Sequence, residues 1–314
     1  MLAALLAGAA GIVLLAYASD QFVIGAARAA TLLRLSPVVI GAVVIGFGTS
    51  APELLVSALA AGQGTLDVAV GNVVGSNIAN LSLVLGAAAL FTPIAVSATV
   101  LRREAPLSFA TVALFALLVQ GGLGLLEGAI LIAALAGGLW LILRSAREDD
   151  PTLTGEVEDF LTPGLPSPRR ETARIVIGLA GTLAGAQLLV WAATTIAGEL
   201  GLAEGFVGLT IVAIGTSLPE LATAVQAARK AETGLIVGNL LGSNLFNSTM
   251  VAGTAALIGP GIPLDATLTG LATILMVGVA ALATVTMVTG RRVLRWEGAL
   301  MLAAYLAVLP LLAN

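Results

Sequence analysis

The chain has 314 residues, 58% of them hydrophobic and only 10% charged, with 14 basic and 18 acidic side chains and a net charge of −4. Mean hydropathy is +1.05, whereas a soluble domain runs nearer a quarter charged, so the sparse charges leave apolar runs that read as membrane-spanning helices. With no Cys and no His, disulfides, thiolate chemistry and the usual zinc or copper sites are excluded, and the acidic balance leaves no basic face for nucleic acid.

Ten hydrophobic segments follow in chain order, at 2–27, 36–61, 67–92, 105–121, 125–144, 172–197, 203–228, 232–258, 264–288 and 293–312. About 20 helical residues cross a hydrocarbon core of ~30 Å. The fourth and fifth segments are short and are expected to form one helical hairpin. Residues 1–19 mimic a secretory signal through Ala16-Tyr17-Ala18-Ser19. They lack a positive leading region and run into the repeat below, so a span is expected there.

The basic residues sort the loops. Arg28 and Arg34 follow the first span, and Arg102 and Arg103 the third. Arg144, Arg147, Arg169, Arg170 and Arg174 bracket the fifth-to-sixth loop; Arg229 and Lys230 follow the seventh, and Arg291, Arg292 and Arg295 the ninth. The remaining loops carry only acids: Asp67, Glu127, Glu199, Glu204 and Asp265. Lys and Arg stay on the cytoplasmic side, so a multi-pass protein of the cell membrane is expected with both termini extracellular.

Residues 145–171 form the only long polar stretch, and their Pro, Gly and acidic content fits a solvated cytoplasmic linker. Glu148, Asp149, Asp150, Glu156, Glu158 and Asp159 cluster there but lack the EF-hand spacing of a calcium loop. The chain is therefore expected to divide into 1–144, the linker 145–171, and 172–314.

Self-similarity supports that division. Gly48-Thr49-Ser50-Ala51-Pro52-Glu53-Leu54 recurs as Gly215-Thr216-Ser217-Leu218-Pro219-Glu220-Leu221. Gly71-Asn72-Val73-Val74-Gly75-Ser76-Asn77-Ile78-Ala79-Asn80 recurs as Gly238-Asn239-Leu240-Leu241-Gly242-Ser243-Asn244-Leu245-Phe246-Asn247, again 167 residues on. Five spans, an odd number, separate each motif from its copy, so the copies enter the membrane in opposite directions. The fold class is an all-α polytopic membrane protein of ten transmembrane helices, two inverted five-helix repeats, with helices broken at the motifs. Transporters built this way bind substrate near the midplane, where broken helices of the two halves meet.

Glu53 and Glu220 are the sharpest features. Each sits mid-span, where an ionised carboxylate costs at least ~3 kcal/mol on translocon scales, and no basic residue lies within a span to pair with it. A cation from solution is the natural counter-charge; the bland reading is a protonated Glu bonded between helices. Pro52 and Pro219 lack an N–H and clash with the carbonyl four residues back, freeing the carbonyls of Gly48 and Gly215. Thr49, Ser50, Thr216 and Ser217 add hydroxyls. Opened backbone at membrane depth is tolerable only where it lines a cavity or binds something.

In the second motif Ser76, Asn80, Ser243 and Asn247 are expected to face the pocket, while Asn77 and Asn244 suit interhelical hydrogen bonds best. Gly71/Gly75 and Gly238/Gly242 are small-xxx-small pairs that let backbones approach. An all-oxygen donor set selects hard cations: Na⁺, Ca²⁺ or, less easily, Mg²⁺. Two glutamates sum to zero with one Ca²⁺ or with two Na⁺, so one pocket can carry either load in turn. An empty pocket holds two like charges in low dielectric, which disfavours crossing unloaded. Asp20 aligns with Gln187, so it is expected to be structural, satisfied by Arg28 or a helix N-terminus. Trp140, Trp191, Trp296, Tyr17 and Tyr305 read as interface anchors.

In the paired Gly-Thr-Ser-x-Pro-Glu-Leu and Gly-Asn-x-x-Gly-Ser-Asn-x-x-Asn segments the chain resembles the sodium/calcium exchanger family of cation/Ca²⁺ antiporters, in its compact prokaryotic branch. The resemblance implies Na⁺ moving down its gradient to drive Ca²⁺ across the membrane, with no cofactor and no enzymatic step. It implies that Glu53 and Glu220 are shared by Ca²⁺ and Na⁺, and that backbone oxygens of Thr49 and Thr216 join the Ca²⁺ site. Flanking Na⁺ sites would draw on Ser50, Ser76, Ser217 and Ser243, with carbonyls of Gly46 and Ala213. Some relatives carry Asp at the position of Asn247, including potassium-dependent members; Asn in both halves suggests potassium independence. The nearest alternative is a proton-coupled antiporter for Ca²⁺ or another divalent cation, on the same fold. An intramembrane hydrolase using the two glutamates is disfavoured by the absence of His and Cys, and a pore by helices that close around carboxylates. The sequence leaves the oligomeric state open.

Overall fold

A computed structural model of the protein describes residues 1–32, 46–145, 167–230, 233–262 and 264–312. The expected start of the second span and nearly all of the linker lie outside these residues. The first half begins with α1 (Leu2–Leu32), then the broken pair α2 (Gly46–Thr49) and α3 (Ala51–Gly62). Next come α4 (Leu66–Ala79), a π turn at Asn80–Val84 and α5 (Leu85–Phe91), which together make one span. β1 (Ile94–Ala95), the short α6 (Ala98–Arg102), α7 (Glu104–Leu118) and α8 (Leu125–Ser145) complete the half.

The second half repeats this plan. α9 (Pro168–Leu200) is followed by α10 (Glu204–Val207), a π turn at Gly208–Val212, α11 (Ala213–Thr216) and α12 (Leu218–Lys230). Then come α13 (Thr233–Phe246), a π turn at Asn247–Val251 and α14 (Ala252–Ile258). A π turn at Leu268–Ala272, α15 (Thr273–Gly290), β2 (Arg292–Val293) and α16 (Arg295–Leu312) close the chain.

The duplication extends to backbone detail. Helix breaks fall at Ser50 (φ −88°, ψ 5°) and Ser217 (φ −86°, ψ 3°). In each the proline two residues later cannot donate to the turn behind it, so the helix restarts with Pro in its first turn. The π turns at Asn80 and Asn247, and the ends of α5 and α14, keep the 167-residue offset. The fourth and fifth spans form a hairpin as expected, turning at Gly122 with φ +88°.

Loop contacts separate two faces. On one, β1 pairs antiparallel with β2 (Ile94 opposite Val293), the N–H of Val96 donates to Arg291 O at 2.8 Å, and Arg28 of α1 meets Glu171 of α9 at 3.4 Å. On the other, Gly261 N donates to Leu123 O at 3.0 Å, and Asp265 N to Asp67 Oδ1 at 2.9 Å. The first group joins loops that carry basic residues, the second those that carry only acids. The odd-even alternation required of inverted repeats is thereby met.

The span Leu66–Phe91 is 83% buried in its apolar window, against 33% for Leu2–Ala26, so α4 is central and α1 peripheral. Packing relies on small residues, as it must where lipid is as apolar as the partner helix. A Cβ on Gly75 would lie 2.2 Å from Leu209 O, and one on Gly71 2.3 Å from Gly205 O, where α4 crosses the seventh span. α1 and α9 lie together along their length: a Cβ on Gly178 would come 2.6 Å from Phe22 N, and one on Gly185 2.8 Å from Leu15 N.

Two expectations change. Arg28 pairs with the buried Glu171, which Arg174 also reaches at 3.3 Å, so Asp20 in mid-α1 accepts instead from its neighbour Gln21 at 3.3 Å. Tyr305 is no interface anchor: it is only 5% exposed, because α16 presents that face to the protein. Tyr17, Trp140, Trp191 and Trp296 are exposed, and Arg144 stacks over Trp140 at 5.1 Å, as suits an interfacial ring.

Candidate functional site

The two helix breaks and the π turns at Asn80 and Asn247 converge at the centre. Glu53 and Glu220, in the first turns of α3 and α12, are both fully buried, and the two carboxylates interact electrostatically. None of their four oxygens has a hydrogen-bond partner within 3.5 Å among the described residues, although the Thr216 and Ser217 hydroxyls lie close to Glu53. Ser50 Oγ, Ser217 Oγ, Asn80 Oδ1, and both Oδ1 and Nδ2 of Asn247 are likewise buried without partners. Buried polar atoms are overwhelmingly paired in native proteins, so such a concentration marks a polar pocket shaped for something it can bind.

Around this pocket the halves are cross-linked by matching hydrogen bonds. Thr49 Oγ1 donates to Asn239 Oδ1 at 3.2 Å and lies 3.4 Å from Ser243 Oγ. Its copy Thr216 Oγ1 donates to Asn72 Oδ1 at 3.1 Å and lies 3.4 Å from Ser76 Oγ. Each broken helix of one half is thus held against the Asn–Ser face of the other. Asn72 Nδ2 also donates to Ser57 Oγ at 3.0 Å and Glu53 O at 3.4 Å. Beyond the pocket, Asn80 Nδ2 donates to Asn244 Oδ1 (3.0 Å), Asn244 Nδ2 to Asn77 O (3.2 Å) and Asn77 Nδ2 to Ser248 Oγ (2.9 Å).

The remaining candidates differ. Gly46 opens α2. Ala213 O accepts from Ser217 N at 3.0 Å and lies 3.2 Å from Thr216 Oγ1, whose one proton it shares with Asn72 Oδ1, so its lone pairs are crowded in this conformation. Asn72 and Asn239 were not among the candidates. The signal was present, since both sit in the repeated motif, but the face of α4 and α13 that meets the opposite half is fixed only by packing. The π turns carried no sequence signal; those at Asn80 and Asn247 widen their helices at the residues proposed to face the pocket, a placement common at functional sites.

Among the described residues no third Asp or Glu, and no His or Cys, completes a metal cluster with the pair. The donor set is therefore two carboxylates with amide, hydroxyl and carbonyl oxygens, which suits hard cations such as Na⁺, Ca²⁺, Mg²⁺ or Mn²⁺ over the softer metals that take nitrogen or sulfur. A cavity of about 730 Å³ leads off between α1, α12 and α13. Among the described residues it runs from Thr49, Pro219 and Asn239 to Asp20 and Arg229.

The family model for sodium/calcium exchanger proteins matches residues 3–144 and 171–313. The chain belongs to the sodium/calcium exchanger family. The two matched segments coincide with the two five-helix halves of this exchanger. It is 43% identical over 305 residues to a protein of Alkalimonas amylolytica named as a candidate antiporter, CaxA, covering 94% of each chain. It is 29% identical over 339 residues to the sodium/calcium exchanger MaX1 of Methanosarcina acetivorans, covering 96% of each. A solved structure of the sodium-calcium exchanger NCX_Mj, soaked with 2.5 mM Na⁺ and 10 mM Sr²⁺, superposes with a TM-score of 0.69 at 30% identity, over 98% of both chains. The exchanger is accordingly a multi-pass cation/Ca²⁺ antiporter, with the transported ions as its substrates.

Proposed function

We propose that this exchanger is a transporter, not an enzyme, in which Na⁺ moving down its gradient drives Ca²⁺ across the cell membrane by alternating access. The observation that carries the reading is the pair Glu53 and Glu220, fully buried, close enough to repel each other, and among the described residues without a basic or hydrogen-bonding mate within 3.5 Å. Leaving buried charge uncompensated costs several kcal/mol per ion. Cations supply the compensation, and one Ca²⁺ or two Na⁺ neutralise the pair equally. Ca²⁺ is held by both glutamates and the backbone oxygens of Thr49 and Thr216. Na⁺ draws in addition on Ser50, Ser76, Ser217 and Ser243 and on the carbonyls of Gly46 and Ala213, with Asn80 and Asn247 as neutral oxygens at the pocket wall. For Ala213 this role requires its carbonyl to release one of its present donors. Both termini lie outside, residues 1–144 and 172–314 are the two inverted five-helix repeats, and 145–171 is their cytoplasmic linker.

Purified protein in liposomes distinguishes the coupling ion. Radioactive Ca²⁺ uptake should follow an imposed Na⁺ gradient and ignore a pH gradient. Uptake that follows the pH gradient and ignores Na⁺ establishes the proton-coupled reading instead.

A further inference from the structure

The 167-residue register pairs more than the two motifs. On the acid-lined face, Gln63 at the end of α3 donates through Nε2 to Gln187 Oε1 of α9 at 3.1 Å, tying the broken span of the first half to the long helix of the second. The copy of Gln63 is Lys230, the last residue of α12, and the copy of Gln187 is Asp20 on α1. The inverted counterpart of a neutral amide bridge is therefore an acid and a base, and it belongs to the opposite face. That is the face where the 730 Å³ cavity reaches Asp20 and Arg229. One face is bridged by the two glutamines, while a cavity enters from the other.

We propose that Asp20 and Lys230 form an ionic latch that closes the basic face when the cavity opens to the acidic one, as Gln63 and Gln187 bridge the acidic face here. A fixed site between inverted halves is exposed alternately when one part moves against the rest, and the second state exchanges the environments of symmetry-related residues. Asp20 and Gln187 ride on one unit, because α1 and α9 are packed backbone to backbone through Gly178 and Gly185. Lys230 ends the helix that carries Glu220, and Gln63 caps the helix that carries Glu53. Moving the α1–α9 unit past the site separates one pair as it brings the other together, so the two latches exclude each other. This inference rests on the alternating-access reading, but not on which ion drives Ca²⁺.

The absence of native Cys makes paired cysteines a clean test. In liposomes, oxidising D20C/K230C should form a disulfide and arrest Ca²⁺ exchange, and reductant should restore it; Q63C/Q187C should behave likewise and serves as the positive control for the opposite state. As an independent readout, D20K should slow exchange about fivefold, the factor equivalent to an ion pair of ~1 kcal/mol, and D20K/K230D should recover to within about twofold. Failure of D20C/K230C to cross-link where Q63C/Q187C does, or a charge swap no faster than D20K, overturns the latch. Both readouts apply whether Na⁺ or H⁺ drives uptake, so loss of the latch and loss of the coupling assignment are separate results.

Discussion

Gly75 is the most exacting packing position near the site, and Gly75→Ala tests how the halves meet. The new Cβ would lie 2.2 Å from Leu209 O, 2.5 Å from Ala213 Cβ and 2.8 Å from Leu209 C. Ordinary contact begins near 3.4 Å, so α4 and the seventh span must separate locally by about 1 Å. The obstacle is backbone, which cannot swing aside as a side chain would. Overpacking of this kind costs about 1–3 kcal/mol. The functional loss should be larger, because the same crossing carries Ser76, Asn72, Thr216 and Ala213, and metal coordination tolerates about 0.2 Å. Thermal unfolding in detergent should register a modest drop, while Ca²⁺ uptake in liposomes should fall at least tenfold. Gly137→Ala, where a Cβ meets nothing within 4 Å, should change neither. Wild-type uptake by Gly75→Ala would show that these helices do not cross there, and would refute the packing that positions the second half of the site.

Other outcomes follow from the same geometry. Glu53→Gln and Glu220→Gln each leave one uncompensated charge when Ca²⁺ binds; the cost of about 3–5 kcal/mol should weaken Ca²⁺ affinity at least a hundredfold, read by isothermal titration, with monodisperse elution retained. Saturating Ca²⁺ at about 100 times its Kd should stabilise the wild type by ~2.7 kcal/mol, and chelation should reverse the rise in unfolding temperature; in Glu220→Gln that rise should vanish. Thr216→Val removes the donor to Asn72 Oδ1 and Ala213 O and should cost about 1–3 kcal/mol, whereas Thr216→Ser should restore uptake. Glu171→Gln withdraws the carboxylate shared by Arg28 and Arg174 and should lower stability by about 3 kcal/mol, in thermal melts with or without Ca²⁺.

Much of this protein is written in its sequence, for reasons of solvent. A bilayer leaves only helices for most of the chain, so apolar runs locate the spans, Lys and Arg sort the loops, and an odd number of spans between copies dictates inversion. Glu53 and Glu220 stand out for the same reason, as charges have few excuses in oil. What the sequence did not determine is which side chains face one another across the halves. Asn77 and Asn80 share a motif, yet only packing decides that Asn77 Nδ2 bonds Ser248 while Asn80 Nδ2 bonds Asn244, each leaving its Oδ1 without a partner among the described residues. Arg28 lies eight residues from Asp20, yet it pairs with Glu171, 143 positions away, because α1 and α9 lie side by side. The cross-half bonds of Thr49 and Thr216, the π turns and the one-sided cavity are likewise products of assembly: local preference sets a helix, but only close-packed neighbours fix its rotation, its bulges and the face it leaves open.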